Sequence, residues 1–125
     1  MLSTKEIVTA YYELLTAGEW DAWCDLFAPD QVMDEQLVGH VEGQDTLRDM
    51  MKGFPDNIYA SFEKRPRHVV VDGDTAAVVS HIHAVTHKGA TVDADVADYF
   101  ETKNGQITYF ANFHDTVPFA VLSEK

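Results

Sequence analysis

In the stretch Val92-Asp93-Ala94-Asp95-Val96-Ala97-Asp98-Tyr99-Phe100, polar and apolar residues alternate with the period of a β-strand. One face of this strand carries Val92, Ala94, Val96, Asp98 and Phe100, and only Asp98 is polar among them. Burying an ionised, unpaired carboxylate is costly, so Asp98 must either accept hydrogen bonds or keep its proton. Its position therefore predicts an acid, a base or a hydrogen-bond donor inside the protein.

Helical patterns come before this strand. A capping box at residues 3–6 starts a first helix, and its apolar residues recur at helical spacing until Gly18. A second short helix is predicted from about Asp21 to Phe27, with Pro29 ending it. A third helix is predicted from Gly43 to Lys52, and the stretch 53–56 is expected to end it.

Strand patterns fill the rest of the chain. The predicted strands are Ile58–Asp72, Ala76–His87, Val92–Lys103 and Gln106–Val117, and an extended piece around residues 32–38 lies before the third helix. Pro66 indicates an edge strand or a bulge. This order predicts an α+β fold, with three N-terminal helices packed on one face of an antiparallel sheet.

The turn at Asn104-Gly105 leaves two pairings open for the last hairpin. A two-residue loop would place Asp98 on one face with Tyr109 and Ala111, whereas a three-residue loop with a glycine bulge would place it with Phe110 and Asn112. We favour the three-residue loop, because it groups Asn112 and His114 with Asp98.

Composition limits the kinds of protein this chain can be. Its 125 residues, 46% of them hydrophobic, suffice for a single domain over residues 1–125. The net charge of −12 argues against nucleic acid and anionic membranes as partners. The single cysteine, Cys24, is expected to be a buried small hydrophobe in a reducing compartment. With no apolar segment of about 18 residues and no signal peptide, we expect a cytoplasmic protein.

Two histidines stand out on the preceding strand. His81 and His83 share one face with Val79, and a His-x-His pair on a strand can ligate a metal, with Asp98 or His114 completing the set. No third ligand has diagnostic spacing, so we expect no metal. Hydrogen-bonded histidines that line a polar pocket are the favoured interpretation, and an exposed sheet face is the alternative.

Several motifs resemble the nuclear transport factor 2-like (NTF2-like) superfamily, especially its ketosteroid isomerase and SnoaL-like polyketide cyclase branches. Residues 11–21 followed by 26–30 are similar to its opening, and residues 97–100, 104–107 and 112–115 are similar to its final strands. The resemblance covers essentially the whole chain and implies a cone-shaped fold on a curved, mostly antiparallel sheet. It also implies a homodimer formed through the sheet.

The resemblance to ketosteroid isomerase implies roles for three residues. Tyr11 falls on the tyrosine of the oxyanion hole, and Glu35 falls on the general base. Asp98 falls on the aspartic acid that stays protonated and donates a hydrogen bond, a standard example of a raised carboxyl pKa. Asp34 is the alternative to Glu35. Tyr11 is otherwise a core tyrosine, and Glu35 is otherwise one of several solvated acids.

The histidines separate this chain from the steroid isomerases it resembles. His81 and His83 fall where those enzymes have apolar lining, which suits the cyclases and dehydratases, where Asp98 would pair with His83 or His81. Asn112 replaces an aspartate of the superfamily's epoxide hydrolases and argues against that branch. The expected substrate-binding residues are Phe110, Asn112, Val79, Phe54 and Trp23.

These features together predict a cofactor-free acid/base enzyme. The expected reaction is proton transfer beside a carbonyl, as an isomerase, cyclase or dehydratase, on a medium-sized apolar molecule in an internal cavity. We expect Asp98→Asn to remove turnover with little loss of stability. The alternative is a non-catalytic module for ligand binding or protein assembly.

Overall fold

Four α-helices and six strands form the described part of the protein, which in this computed structural model is residues 1–123 without the side chains of Phe54 and Pro55. In chain order the elements are α1 Thr4–Ala17, α2 Trp20–Cys24, β1 Phe27–Glu35, β2 Gly39–Glu42, α3 Gln44–Met51, α4 Phe54–Ile58, β3 Tyr59–Asp72, β4 Thr75–Thr86, β5 Thr91–Lys103, β6 Gln106–Phe113, and a 3₁₀ segment at Val117–Ser123. The helices pack on a curved, open sheet, so the predicted α+β fold is confirmed.

The first helix begins and ends where the sequence predicts. The Ser3 hydroxyl accepts a hydrogen bond from the Glu6 amide, the Glu6 side chain accepts one from the Ser3 amide, and Gly18 adopts a left-handed φ of 74°. The second helix is shorter than predicted, because Phe27 already belongs to β1. The short α4 lies where only a break was expected.

The sheet is mixed, with the strand order β2-β1-β6-β5-β4-β3. All neighbours are antiparallel except β1 and β6, which run parallel. Both readings of Pro66 are confirmed, since β3 is an edge strand and its register shifts between Pro66 and His68. The extended piece around residues 32–38 is the end of β1 and the turn into β2, a hairpin that was not predicted.

The last hairpin combines parts of the two predicted pairings. Its loop has two residues, since Lys103 pairs with Gln106 and the residues between them have φ values of 53° and 77°. A register shift further along the hairpin skips Thr108 and sets Asp98 opposite Asn112. Asp98 therefore has the neighbours that the three-residue loop predicted, although the loop is shorter and the bulge lies in β6.

The core occupies the space between the helices and one face of the sheet. Its largest fully buried side chains include Ile7 of α1, Phe27, Leu47, Phe100 and Phe110. Cys24 is buried as well, and burial raises the pKa of its thiol, as expected for a small core residue. Within residues 1–123, no helix is both long and apolar enough to cross a membrane.

Candidate functional site

A cavity of about 450 Å³ lies between the helices, the inner face of the sheet and the C-terminal 3₁₀ segment. Its volume falls in the range of small-molecule sites. Apolar side chains form most of its wall, among them Trp23, Met33, Leu47, Phe110 and Phe119. The polar side chains that line it include Tyr11, Glu35, Lys64, Asn112 and His114. The cavity therefore suits an apolar molecule with a few polar groups.

Tyr11 projects from α1 into this cavity and is only 3% exposed. Its ring stacks on Phe110, with centroids 5.3 Å apart, and meets the edge of Phe100 at 5.1 Å. Burial raises the pKa of Tyr11 well above 10, and the charges of Asp98 and Glu35 raise it further. The phenol therefore keeps its proton and can donate a hydrogen bond to a ligand.

Glu35 lines the same cavity from the end of β1. Its Oε2 accepts hydrogen bonds from the amides of Leu37 at 2.9 Å and Val38 at 2.6 Å, and the Asn112 amide lies 3.4 Å from Oε1. Two backbone donors thus position the carboxylate. Asp34 points to the other face of the sheet, where it accepts hydrogen bonds from His40 and Tyr109. Alternation along β1 thus brings Glu35, and not Asp34, to the cavity.

Asp98 is buried, as predicted, but its carboxylate is hydrogen-bonded to neighbouring side chains within the wall of the cavity. Its Oδ2 accepts hydrogen bonds from the hydroxyls of Tyr12 at 2.6 Å and Ser80 at 2.7 Å, and its Oδ1 accepts one from the Lys64 ammonium at 2.9 Å. Among the described residues, those that line the cavity do not include Asp98. Both oxygens are engaged by neighbouring donors, so the structure does not place Asp98 where it could donate a proton to a ligand.

Lys64 is a site residue that the sequence analysis missed. Its side chain is 3% exposed, and it lines the cavity with its ammonium 5.4 Å from the Tyr11 ring centroid and 5.6 Å from that of Phe110. A signal was present, because Lys64 follows Phe62 by two residues and therefore shares its face of β3. The charged neighbours Glu63 and Arg65 hid that signal.

His81 and His83 lie on the opposite face of the sheet from Asp98, so the structure contradicts the predicted polar pocket. The inward face of β4 carries Ala76, Val78, Ser80, Ile82 and Ala84. His81 contacts Asp95 at 2.9 Å and Asp93 at 3.1 Å, and His83 contacts Asp93 at 2.8 Å. Alternation correctly grouped the histidines, but both faces of β4 contain valine, so the pattern could not tell which face is inward.

Of the other predicted substrate-binding residues, three line the cavity and one lies on the outer face of the sheet. Phe110, Asn112 and Trp23 line the cavity, whereas Val79 is 42% exposed on the outer face. The side chain of Phe54 lies outside the described residues. Within the described chain, no group of three or more histidine, cysteine or acidic side chains is arranged to hold a metal ion.

His114 completes the polar lining. Its Nδ1 lies 2.8 Å from the Asp115 carbonyl, which can only accept a hydrogen bond, so this nitrogen carries a proton. Its ring packs 4.9 Å from that of Phe119, in the 3₁₀ segment. His114 therefore links β6 to the segment that closes the cavity.

Comparison with known proteins gives consistent results. The profile of the SnoaL-like domain family matches residues 8–110. An uncharacterised PhzA/B-like protein of Pseudomonas aeruginosa is 28% identical over 118 residues, which are 90% of this chain and 84% of that protein. The crystal structure of TerC co-crystallised with polyporic acid has a TM-score of 0.83 at 19% identity, covering 98% of each chain. An NTF2-like protein of unknown function from Burkholderia pseudomallei has a TM-score of 0.87 at 17% identity, covering 100% of both chains. At such identities the structural matches show the fold alone.

Proposed function

Since this chain belongs to the SnoaL-like domain family, we propose that it is a cofactor-free enzyme that moves a proton next to a carbonyl group. The substrate is a medium-sized, largely apolar molecule, and the reaction is an isomerisation, a cyclisation or a dehydration. The observation that carries this proposal is the shared cavity of Glu35 and Tyr11, a carboxylate and a phenol on one apolar surface.

Each residue has a role that its surroundings support. Glu35 takes a proton from the carbon beside the carbonyl, while its two backbone hydrogen bonds hold it in place. Tyr11 donates a hydrogen bond to the carbonyl oxygen as negative charge develops there. The mostly apolar walls lower the local dielectric around the buried Tyr11, so its hydrogen bond is stronger than it would be in solution. TerC, co-crystallised with polyporic acid, supports small-molecule binding by this fold.

Deuterium exchange tests the proposal without knowledge of the natural substrate. We expect the protein to catalyse exchange of the protons beside the carbonyl in some members of a panel of cyclic ketones and enones in D₂O, followed by NMR. Glu35→Gln should lower that rate by about 100-fold or more, since it removes the proton acceptor. Tyr11→Phe should lower it by a comparable factor, since it removes the hydrogen-bond donor.

Asp34→Asn is the matched control. It changes the neighbouring acid, which lies on the other face of the sheet, so the exchange rate should stay unchanged. An exchange rate that Glu35→Gln leaves intact would reject Glu35 as the base. Ligands that bind without any exchange would favour the non-catalytic binding module.

A further inference from the structure

The Lys64 ammonium has hydrogen-bonding capacity that the described residues do not use. An ammonium carries three N–H donors, and among the described residues this one donates a single hydrogen bond, to Asp98. The side chain is 97% removed from solvent, yet Lys64 lines the cavity. Buried donors without acceptors are costly, so these N–H groups call for an acceptor inside the cavity.

The surroundings hold this ammonium in place before any ligand arrives. Asp98 fixes it from behind and is itself held by the hydroxyls of Tyr12 and Ser80. The rings of Tyr11 and Phe110 face it from the cavity side, since both also line the cavity. A cation held in this way, in a cluster of side chains from four strands and one helix, needs no rearrangement to meet a negative oxygen.

Charge balance selects the chemistry of that oxygen. Asp98 already balances the charge of the Lys64 ammonium, and Glu35 adds a second carboxylate to the cavity lining, so a permanently ionised ligand would add a further uncompensated negative charge. A phenol or an enol enters neutral, and when its O–H bond breaks, the proton forms an O–H bond with Glu35. The ligand oxygen becomes negative as Glu35 becomes neutral, so the total charge stays constant.

We propose that Lys64 is the binding point for the acidic oxygen of an enol or a phenol with an apolar body. This deepens the proposed function and rests on it for the role of Glu35. Lys64 would then also bind the enolate that proton abstraction from a ketone produces. Asp98, Tyr12 and Ser80 are positioning residues that act through Lys64.

Lys64 also borders a second pocket, so binding there must be distinguished experimentally from binding in the cavity. Lys64 also lines a groove of about 500 Å³ between α1 and β3, together with Tyr12, Arg65 and Val69. Val69 is 47% exposed, so Val69→Trp can narrow this groove without filling the core. The affinity of a ligand that binds in the cavity should therefore be the same in Val69→Trp as in the wild-type protein.

Binding measurements with three naphthalenes test the proposal. By calorimetric titration, 2-naphthol should bind at least about 10-fold more tightly than 2-methoxynaphthalene, because its acidic oxygen gains a hydrogen bond with the charged Lys64 ammonium. It should also bind more tightly than 2-naphthoate, which carries a permanent charge.

Variants locate the effect at Lys64. Lys64→Met combined with Asp98→Asn removes both charges of the buried pair and should abolish the preference for 2-naphthol. Lys52→Met, which changes an exposed lysine paired with Asp49, and Val69→Trp should both keep it. Equal affinities of the wild-type protein for 2-naphthol and 2-methoxynaphthalene, or a folded double variant with an unchanged preference, would overturn the proposal.

One measurement needs no variant. The ¹H–¹⁵N signal of the Lys64 ammonium should shift when 2-naphthol is added and stay in place with 2-methoxynaphthalene, and no shift with 2-naphthol would also overturn the proposal. The two proposals fail separately. If exchange depends on Glu35 and the naphthol preference is missing, only the Lys64 binding point fails; the reverse pattern rejects only the exchange reaction.

Discussion

The Asp98 carboxylate accepts hydrogen bonds from three different elements: α1 through Tyr12, β3 through Lys64 and β4 through Ser80. Burial raises the pKa of Tyr12, and the charge of Asp98 raises it further, so the phenol stays a donor. A buried ion pair gains little stability over a well-packed apolar pair, because both charges lose their water. Removing only one partner is far more costly, since the other is left buried and unpaired.

Asp98→Asn should therefore lower the free energy of unfolding by about 3–5 kcal/mol, because Lys64 loses its counter-ion. This differs from the expectation based on the sequence, which foresaw little loss of stability because it did not include the ion pair with Lys64. Lys64→Met alone should be similarly costly, and the double variant should recover most of the loss. Urea denaturation of the three variants measures this coupling.

Asp49→Asn provides the comparison for this prediction. Asp49 also pairs with a basic group, Lys52, but on the exposed surface, where screening by solvent makes such pairs weak. Its replacement should change stability little. If the effects of Asp98→Asn and Lys64→Met simply add in the double variant, the two residues are not coupled as the structure indicates.

At the scale of elements, the outer faces of β4 and β5 are joined by a ladder of histidines and carboxylates. Hydrogen bonds with Asp95 and Asp93 raise the pKa of His81 above its ordinary value of 6.5. The hydrogen bonds with His83 and His81 lower the pKa of Asp93, and that with His81 lowers the pKa of Asp95, each below an ordinary 3.8. These cross-strand pairs connect neighbours of the antiparallel sheet.

Stability should therefore depend on pH through this ladder. A raised histidine pKa adds stability that is fully present below pH 6.5 and is lost as the pH rises through the folded-state value. The lowered carboxylate pKa values add stability that is lost as the pH falls through them, below 3.8. The advantage of the wild-type protein over His81→Gln should be greatest between these limits and disappear in alkaline solution.

Urea midpoints of both proteins across this pH range provide the measurement. His68→Gln, at an exposed histidine of the neighbouring strand β3, is the control and should not reproduce the profile. A wild-type advantage that grows with increasing pH would contradict the assignment.

The sequence patterns correctly predicted those features that depend on the geometry of a single strand or helix. Alternation along β5 identified Asp98 as buried, and helical spacing placed Tyr11 on the apolar face of α1, because each pattern is set by the residue's own element. The role of Tyr11 in a site came only from the resemblance to ketosteroid isomerase. For Lys64 the only local sign was the face that it shares with Phe62, and its pairing could not be predicted, since its partner Asp98 lies 34 residues further along the chain. The inward face of β4 also depends on packing against other elements, so His81 and His83 were placed on the wrong side.

The same limit applies to the topology. The parallel pairing of β1 with β6 joins residues 77 positions apart, such as Met33 and Phe110, and neither strand carries a local sign of the other. The resemblance to a known superfamily supplied the fold where pattern could not. Assembly through the sheet stays a prediction.

At the scale of the whole molecule, one charge sign dominates the surface while the balanced pair Lys64–Asp98 sits inside. The chain has 21 acidic and 9 basic residues, for a net charge of −12. Repulsion among so many acids disfavours the compact state. Salt weakens this repulsion, because the screening length falls to about 10 Å at 0.1 M. The exposed ion pairs weaken too, but each contributes little.

The melting temperature should therefore rise as KCl is increased from about 0.02 M to 0.3 M, because screening relieves more repulsion than attraction. Scanning calorimetry at constant pH measures this rise. The double variant Lys64→Met with Asp98→Asn should show the same rise, since it leaves the net charge at −12 and changes only a buried pair that salt screens weakly. A melting temperature that falls with salt would mean that the attractive surface pairs outweigh the repulsion among the acids.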